Sequence, residues 1–199
     1  MEKEKLLGLY GGTFDPPHAA HRALAEAFIK SFPFARLMVM PCLIPPHKIK
    51  AAGGANGEDR LAMAKLAFGD IATVSNYELG KKRTSYTHFT VKHLKRKYPK
   101  YKICLIMGQD NLEIIEKWKE YLYLLENCAF AVALRGDEEI SPQIDYLRRR
   151  YKAEIYLLPM EKQDVSSTEI RKRLKTGEDT EGLLPAAVYE YIKREGLYL

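Results

Sequence analysis

The sequence has few cysteines and no apolar run long enough to cross a membrane. Three cysteines among 199 residues, Cys42, Cys104 and Cys128, form an odd number without close spacing, which argues against a disulfide framework. No apolar run approaches the ~18 residues of a membrane helix, and the N-terminus lacks the apolar segment of a secretory signal. These absences predict a reducing, cytoplasmic location and no membrane partner.

The sequence also lacks internal repeats and low-complexity linkers. Its 199 residues suffice for one sizeable core, so we expect a single domain over 1–199 with a small C-terminal helical portion from about 166. The net charge of +6 favours anionic partners. The basic clusters at 92–102 and 148–152 fall in helix-like segments and are typical of solvated faces. We therefore expect phosphorylated small molecules as partners and no nucleic acid.

Apolar runs alternate with segments of helical periodicity along the whole chain. Strands are expected at residues 6–10, 35–41, 71–75, 102–107, 129–134 and 154–158. Helices are expected at 18–30, at 58–68, from Thr84 or Ser85 to 97, around Trp118, and at 142–151, 166–175 and 185–195. This βαβ rhythm predicts an α/β fold with a doubly wound, mostly parallel sheet. Ligands of such sheets bind beyond the carboxyl ends of the strands.

The turn after the first strand carries an unusual set of residues. Gly11 and Gly12 let the backbone approach a ligand, although two such glycines are also typical of a plain turn. Free N–H groups at the start of the following helix predict an anion site. His18 and His21 lie three residues apart, so both rings can reach one ligand.

A second group of polar residues begins a helix after the last strand. Ser166, Ser167 and Thr168 can cap this helix and can also donate to phosphate oxygens. Arg171 lies four residues beyond Ser167, within reach of the same anion. A plain capping box between Ser166 and Glu169 explains the stretch equally well.

Taken together, these motifs resemble those of a known superfamily. The turn ending in His18 and His21 resembles the (H/T)xGH motif of the nucleotidyltransferase α/β-phosphodiesterase superfamily, with Ala20 in place of the glycine. Val165–Arg171 resembles its ISSTxIR motif. Further stretches in matching order make the chain similar to the bacterial nicotinate-nucleotide adenylyltransferases: 45–48 (Pro-Pro-His-Lys), 85–87 (Ser-Tyr-Thr), 107–110 (Met-Gly-Gln-Asp) with Trp118, and 184–185 (Leu-Pro) with 191–192 (Tyr-Ile).

The resemblance implies a Rossmann-like nucleotidyltransferase fold and a specific reaction. Members of this family transfer AMP from ATP to nicotinate mononucleotide, and deamido-NAD and pyrophosphate are the products. The substrate phosphate is the nucleophile, so catalysis needs positioning and charge stabilisation and no nucleophilic side chain. Mg²⁺ is the expected cofactor, held mainly by the ATP phosphates and not by a protein metal site. The assembly state is left open, a homo-oligomer included.

By the same resemblance, His18, His21 and Arg171 are the expected catalytic residues, with the two histidines on the α- and β-phosphates. The ATP-binding set implied is Gly11, Gly12, Thr13, Phe14, His18, His21, Gly108, Asp110, Ser166, Ser167, Thr168 and Arg171. The set implied for nicotinate mononucleotide is Asp15, Lys48, Thr84, Ser85, Tyr86, Thr87 and Trp118.

Several of these roles have alternatives. Lys48 is equally well a surface lysine, Asp110 a helix N-cap and Trp118 a core residue, while Asp15 orients either Mg²⁺ or a backbone turn.

Two other functions compete with this reaction. Another transferase of the superfamily would use phosphopantetheine, glycerol 3-phosphate or nicotinamide mononucleotide as acceptor. A nucleotide-binding module without turnover would keep its function when His18 is replaced by alanine, whereas an enzyme would lose ~10²-fold in rate.

Overall fold

Long apolar runs form the strands of a six-stranded sheet. In the computed structural model, which describes residues 5–44, 53–81, 83–134, 141–161 and 163–199, the strands are β1 (Lys5–Gly12), β2 (Arg36–Pro41), β3 (Thr73–Val74), β4 (Tyr101–Gly108), β5 (Cys128–Ala133) and β6 (Glu154–Leu158). Their order is β3-β2-β1-β4-β5-β6. All six residues of β5 are buried, as expected for a strand covered on both faces of a parallel sheet.

Helices follow the strands in regular alternation. They are α1 (Ala19–Ser31), α2 (Gly57–Phe68), α3 (Thr87–Lys97), α4 (Gln109–Glu113), α5 (Tyr121–Asn127), α6 (Pro142–Tyr151), α7 (Ser167–Thr176) and α8 (Ala186–Glu195). The expected α/β class and doubly wound, Rossmann-like sheet are confirmed. No helix in the described part of the chain has the length and apolar character needed to span a membrane.

The chain divides into two compact units, each assembled from three segments. The first unit contains Met1–Tyr10, Leu24–Met38 and Tyr86–Lys162. Its parallel strand pairs are β1 with β4, β4 with β5, and β5 with β6. A Cβ at Gly8 would lie 2.5 Å from the Phe28 ring, so glycine allows α1 to pack closely on β1. The sequence does not indicate this division, and the single domain stays a prediction.

The second unit contains Gly11–Ala23, Val39–Ser85 and Gln163–Leu199. Here α2 begins at an Asn56 cap, whose side chain accepts from the backbone N–H groups of Glu58 and Asp59. The Tyr191 hydroxyl of α8 donates to the Asp59 carboxylate of α2 at 2.9 Å. Helix α7 ends at Gly177 in the left-handed region (φ 71°), a conformation that favours glycine.

Two boundaries differ from the sequence predictions because local hydrogen bonds compete there. Strand β3 is limited to Thr73–Val74, since the N–H groups of Ile71 and Ala72 donate to the Phe68 carbonyl in a turn. Helix α3 begins at Thr87, and neither Thr84 nor Ser85 caps it. The Ser85 hydroxyl instead accepts from the Leu43 N–H at 3.0 Å.

All three cysteines are free and buried. Burial raises the pKa of Cys104 and of Cys128 to about 12, and a nearby Cys128 adds to the effect at Cys104. Burial also raises the pKa of Cys42. These thiols therefore behave as small apolar side chains.

His88 is also a core residue. Its side chain is 3% exposed, and its ring lies 4.1 Å from that of Phe89 and 6.0 Å from that of Tyr86. Among the described residues its Nδ1 has no hydrogen-bond partner. Burial and the neighbouring Lys92 lower the pKa of His88, with Lys119 acting in the same direction, against opposite effects of Glu120 and a hydrogen bond with the Lys119 backbone. The folded protein therefore favours the neutral imidazole.

We expect His88 to make the folded protein less stable in acid. The unfolded chain takes up a proton near pH 6.5 and the folded chain only at lower pH, so this contribution is present above that pH and is lost below it. The slope reaches about 1.4 kcal/mol per pH unit between the two pKa values. Urea unfolding at about pH 7.5 and 5.5 should show a smaller acid loss for His88→Phe than for wild type. Equal acid losses in the two proteins would contradict this assignment, and His93→Phe serves as the control.

Candidate active site

The turn after β1 is shaped by a buried aromatic ring. Phe14 adopts a positive φ of 51° and is 1% exposed. Its ring meets the edges of His21 at 5.2 Å and of Phe68 at 5.4 Å between centroids. A Cβ at Gly12 would lie 2.8 Å from the Phe14 ring, whereas a Cβ at Gly11 would meet nothing within 4 Å. Gly12 is thus required by packing, and the exposed Gly11 leaves its side of the turn open.

Gly12→Ala should therefore destabilise the protein much more than Gly11→Ala. The Phe14 ring is fixed between two other rings and cannot yield easily, so we expect a loss of about 1–3 kcal/mol for overpacking at Gly12. Gly11→Ala should stay within about 0.5 kcal/mol of wild type. Urea denaturation of both variants measures the difference, and equal unfolding free energies would show that the turn adjusts.

The two predicted histidines lie together at the start of α1. Their rings stack with centroids 3.7 Å apart and planes 30° apart, and the His18 side chain is 6% exposed. The His18 backbone N–H donates to Nδ1 of His21 at 3.2 Å. Because Nδ1 of His21 accepts, the neutral ring carries its proton on Nε2.

Part of the predicted anion site at this helix start is used by the protein itself. The Ala19 N–H donates to the Leu183 carbonyl at 2.9 Å, and the His18 N–H is taken by His21. The first-turn N–H groups of Ala20 and His21 lack intrahelical acceptors by helix geometry. The two imidazole rings and these two N–H groups thus lie at the same helix start.

The second motif comes to the same turn through α7. Ser166 caps the helix by accepting from the Glu169 N–H at 3.2 Å, and the Ser167 hydroxyl donates to the Pro16 carbonyl at 2.9 Å. Arg171 donates from Nη1 to the Asp15 carbonyl at 2.7 Å and from Nη2 to the Thr168 hydroxyl at 3.3 Å. Residues about 150 positions apart in sequence thus share one site, which combines a cationic fork with two imidazoles.

Capping explains only part of this motif. The Glu169 carboxylate does not complete the capping box, because it pairs with Arg173 at 3.1 Å.

Asp15 is buried and tied to two distant segments. Its carboxylate oxygen Oδ1 accepts from the Ala55 N–H at 2.9 Å and from the Tyr198 hydroxyl at 2.6 Å, and the residue is 8% exposed. Burial, followed by the hydrogen bond and charge of Asp15, raises the pKa of Tyr198 well above its usual range, so the phenol stays a donor. Of the two roles considered for Asp15, this geometry favours orienting the backbone.

Sequence reasoning missed Arg60, although the sequence contains a signal for it. The residue is 5% exposed, and its Nη1 donates to the carbonyls of Thr13 (2.8 Å) and Cys42 (2.7 Å). It stands in phase with the buried positions Met63, Ala64 and Ala67 of α2. A charged side chain in an apolar stripe needs buried acceptors, and here these are the carbonyls of the turn.

The remaining predicted site residues are placed as follows. Thr84 and Ser85 belong to the second unit and are half-buried, whereas Tyr86, Thr87, Gly108, Asp110 and Trp118 belong to the first. Gly108 is the N-cap of α4, so Asp110, exposed in the first turn, is not the cap. Trp118 is half-buried after a 3₁₀ turn and lies outside the fully buried core. Lys48 lies outside the described residues.

The described residues contain no group of three or more His, Cys, Asp or Glu side chains arranged to hold a metal ion. Asp15, the acidic residue of the turn, is already bound to Ala55 and Tyr198.

The sheet and the site define a nucleotidyltransferase-type α/β protein, and the model of the cytidylyltransferase-like family matches residues 9–173. A relative from Clostridium tetani, "Probable nicotinate-nucleotide adenylyltransferase", is 34% identical and covers 98% of this chain and 99% of its own. A relative of the same name from Clostridium acetobutylicum is 33% identical over 98% of this chain and 100% of its own. The chain belongs to the nicotinate-nucleotide adenylyltransferase family, as the sequence motifs indicated.

Solved structures agree on the fold. A Plasmodium falciparum nicotinic acid mononucleotide adenylyltransferase complexed with NaAD has a TM-score of 0.79 at 22% identity, and covers 98% of this chain and 97% of its own. The same protein complexed with APC has a TM-score of 0.75 at 21% identity, with the same coverage.

Proposed function

We propose that this chain transfers AMP from ATP to nicotinate mononucleotide, with deamido-NAD and pyrophosphate as products. A phosphate oxygen of the mononucleotide attacks the α-phosphorus of ATP. The new P–O bond forms as the bond from this phosphorus to the oxygen bridging to the β-phosphate breaks, and pyrophosphate leaves with the bonding electrons. The single observation that carries the proposal is the stacked pair His18–His21 in one unit with Arg171, whose guanidinium holds the same turn.

The roles follow from where the donors lie. Two imidazole rings 3.7 Å apart place their N–H donors close together, so a ligand with several anionic oxygens, such as a triphosphate, suits this pair. The His21 Nε2 and the His18 ring would donate to the α- and β-phosphates. Arg171 and the residues at the start of α7, Ser166–Thr168, would stabilise the negative charge that develops on the leaving pyrophosphate. These groups are held in place before the ligand binds, which is how such donors accelerate a reaction.

Mg²⁺ is part of this proposal as a companion of ATP. It would enter on the phosphate oxygens, because the described residues offer no cluster of their own for it, and would neutralise part of their charge. Binding of nicotinate mononucleotide by Ser85, Tyr86, Thr87 and Trp118, and of the ATP ribose by Asp110, stays a prediction from the family resemblance.

One assay separates this function from its alternatives. The protein is mixed with ATP and Mg²⁺ and, separately, with nicotinate mononucleotide, nicotinamide mononucleotide, phosphopantetheine or glycerol 3-phosphate, and pyrophosphate release is followed. We expect the highest kcat/KM with nicotinate mononucleotide. Release with phosphopantetheine or glycerol 3-phosphate alone would assign another acceptor. Binding of ATP without release in any mixture would support a module without turnover.

A further inference from the structure

Tyr198 reaches the candidate active site from a segment to which no motif assigns a role. It follows α8, adopts a positive φ of 65°, and places its hydroxyl 2.6 Å from Oδ1 of Asp15. The two residues are 183 positions apart in sequence. A non-glycine residue in this backbone region is held there by its surroundings, and here the hydroxyl of the side chain donates to the Asp15 carboxylate.

Asp15 is the centre of the connections that hold the turn. Its carboxylate binds the Ala55 N–H and Tyr198, and its own carbonyl accepts from Arg171. The next carbonyl, that of Pro16, accepts from Ser167. The backbone that leads to His18 is thus fixed through both the side chain and the main chain of one residue. Ala55 and Tyr198 both come from outside the motifs, and Tyr198 is the one of the two that acts through its side chain.

We propose that Tyr198 is a positioning residue, which fixes the Asp15 carboxylate and thereby sets where His18 and His21 stand against the phosphates. The phenol donates to the Asp15 carboxylate, so its effect on the imidazoles passes through the turn. Because Asp15 is buried, its carboxylate needs hydrogen-bond donors, and removal of one of its two donors would let the side chain move toward another. That movement would shift the backbone three residues before His18.

The chain offers a matched control at Tyr191. Its hydroxyl also donates to an aspartate, Asp59, at 2.9 Å, and it joins α8 to α2 within the same unit. Tyr191→Phe and Tyr198→Phe each remove one oxygen and one tyrosine–aspartate hydrogen bond. A merely structural role predicts the same behaviour for both variants, and a positioning role does not.

The kinetic part of the test rests on the proposed function. We expect Tyr198→Phe to lower kcat about 10-fold with KM for nicotinate mononucleotide within about twofold, since a small misplacement of donors costs rate more than binding. Tyr191→Phe should keep kcat within about twofold, and both variants should lower Tm by a similar few degrees, roughly 2–6 °C. Asp15→Asn combined with Tyr198→Phe should lower kcat no further than the more damaging single variant, because both act through one carboxylate.

A second measurement needs no turnover. Imidazole NMR signals of His18 and His21 should shift in Tyr198→Phe and stay unchanged in Tyr191→Phe, with His88 and His93 as internal references. Unchanged His18 and His21 signals in Tyr198→Phe would overturn the inference, as would equal kcat values for the two tyrosine variants. Shifted signals in a protein without adenylyltransferase activity would support the positioning role and count against the proposed function.

Discussion

Replacing His18 with alanine should lower kcat for pyrophosphate release by about 10²–10³-fold, the range for loss of one preorganised donor to developing charge. The side chain is 6% exposed and stacked on His21, so it is already oriented before ATP arrives. A donor that gains strength as charge develops acts in the transition state more than in binding, so the KM for ATP should change much less than kcat. Steady-state kinetics with nicotinate mononucleotide and varied ATP measures both.

His93→Ala is the control for this prediction. It removes a half-buried histidine from α3, which has no role in the proposed chemistry, and should keep the wild-type kcat. If His18→Ala retained kcat within about threefold of wild type, His18 would not be the donor proposed here. If His18→Ala kept ATP binding and the function of the protein were unaffected, a nucleotide-binding module without turnover would be favoured.

Arg171→Lys should lower kcat/KM by about 10–10²-fold even though the charge is kept. The guanidinium reaches the Asp15 carbonyl and the Thr168 hydroxyl with two different nitrogens, and only a planar fork can do so while facing a phosphate. A lysine ammonium is a single point charge, which would either donate to the Asp15 carbonyl or contact the phosphate, but not both. The loss should therefore appear in kcat and in the KM for ATP together.

Arg173→Lys on the same helix separates this effect from a general loss of arginine. Arg173 pairs with Glu169 at 3.1 Å at the surface, a contact worth little to the free energy of folding. We expect its kinetics to match wild type. Equal kcat/KM for Arg171→Lys and Arg173→Lys would show that charge alone suffices at position 171.

The sequence predicts the sheet well because its central strands are continuous apolar runs. β1, β4 and β5 are buried in the parallel pairs that such runs favour. Prediction failed where a local contact competes with the pattern, as at β3, which a turn closing on Phe68 shortens. The start of α3 was misplaced for a similar reason, since the Ser85 hydroxyl is used by Leu43. Rules based on residue propensity and helix capping do not take into account hydrogen-bond partners such as the Phe68 carbonyl or the Leu43 N–H.

Helix geometry predicted the site only where a motif is local, whereas the family resemblance also placed Ser167 and Arg171 beside the histidine turn. His18 and His21 are three residues apart, so helix geometry alone brings their rings together. The contacts of Asp15 with Arg171 and Tyr198 span 156 and 183 residues, and no periodicity encodes such distances. Arg60 was predictable in part. Its position in the apolar stripe of α2 indicates that the side chain is buried, but it does not identify the carbonyls to which the guanidinium donates.

Alkylation of the buried cysteines can report how often the folded protein opens locally. With a pKa of about 12, only about one thiol in 10⁵ at Cys104 or Cys128 is ionised at neutral pH, and neither faces solvent. An alkylating reagent therefore modifies these two thiols only when the structure packed against β4 and β5 opens and exposes them. The labelling rate then measures how often the central strands open under native conditions. The measurement needs no denaturant and no probe attached to the chain beforehand.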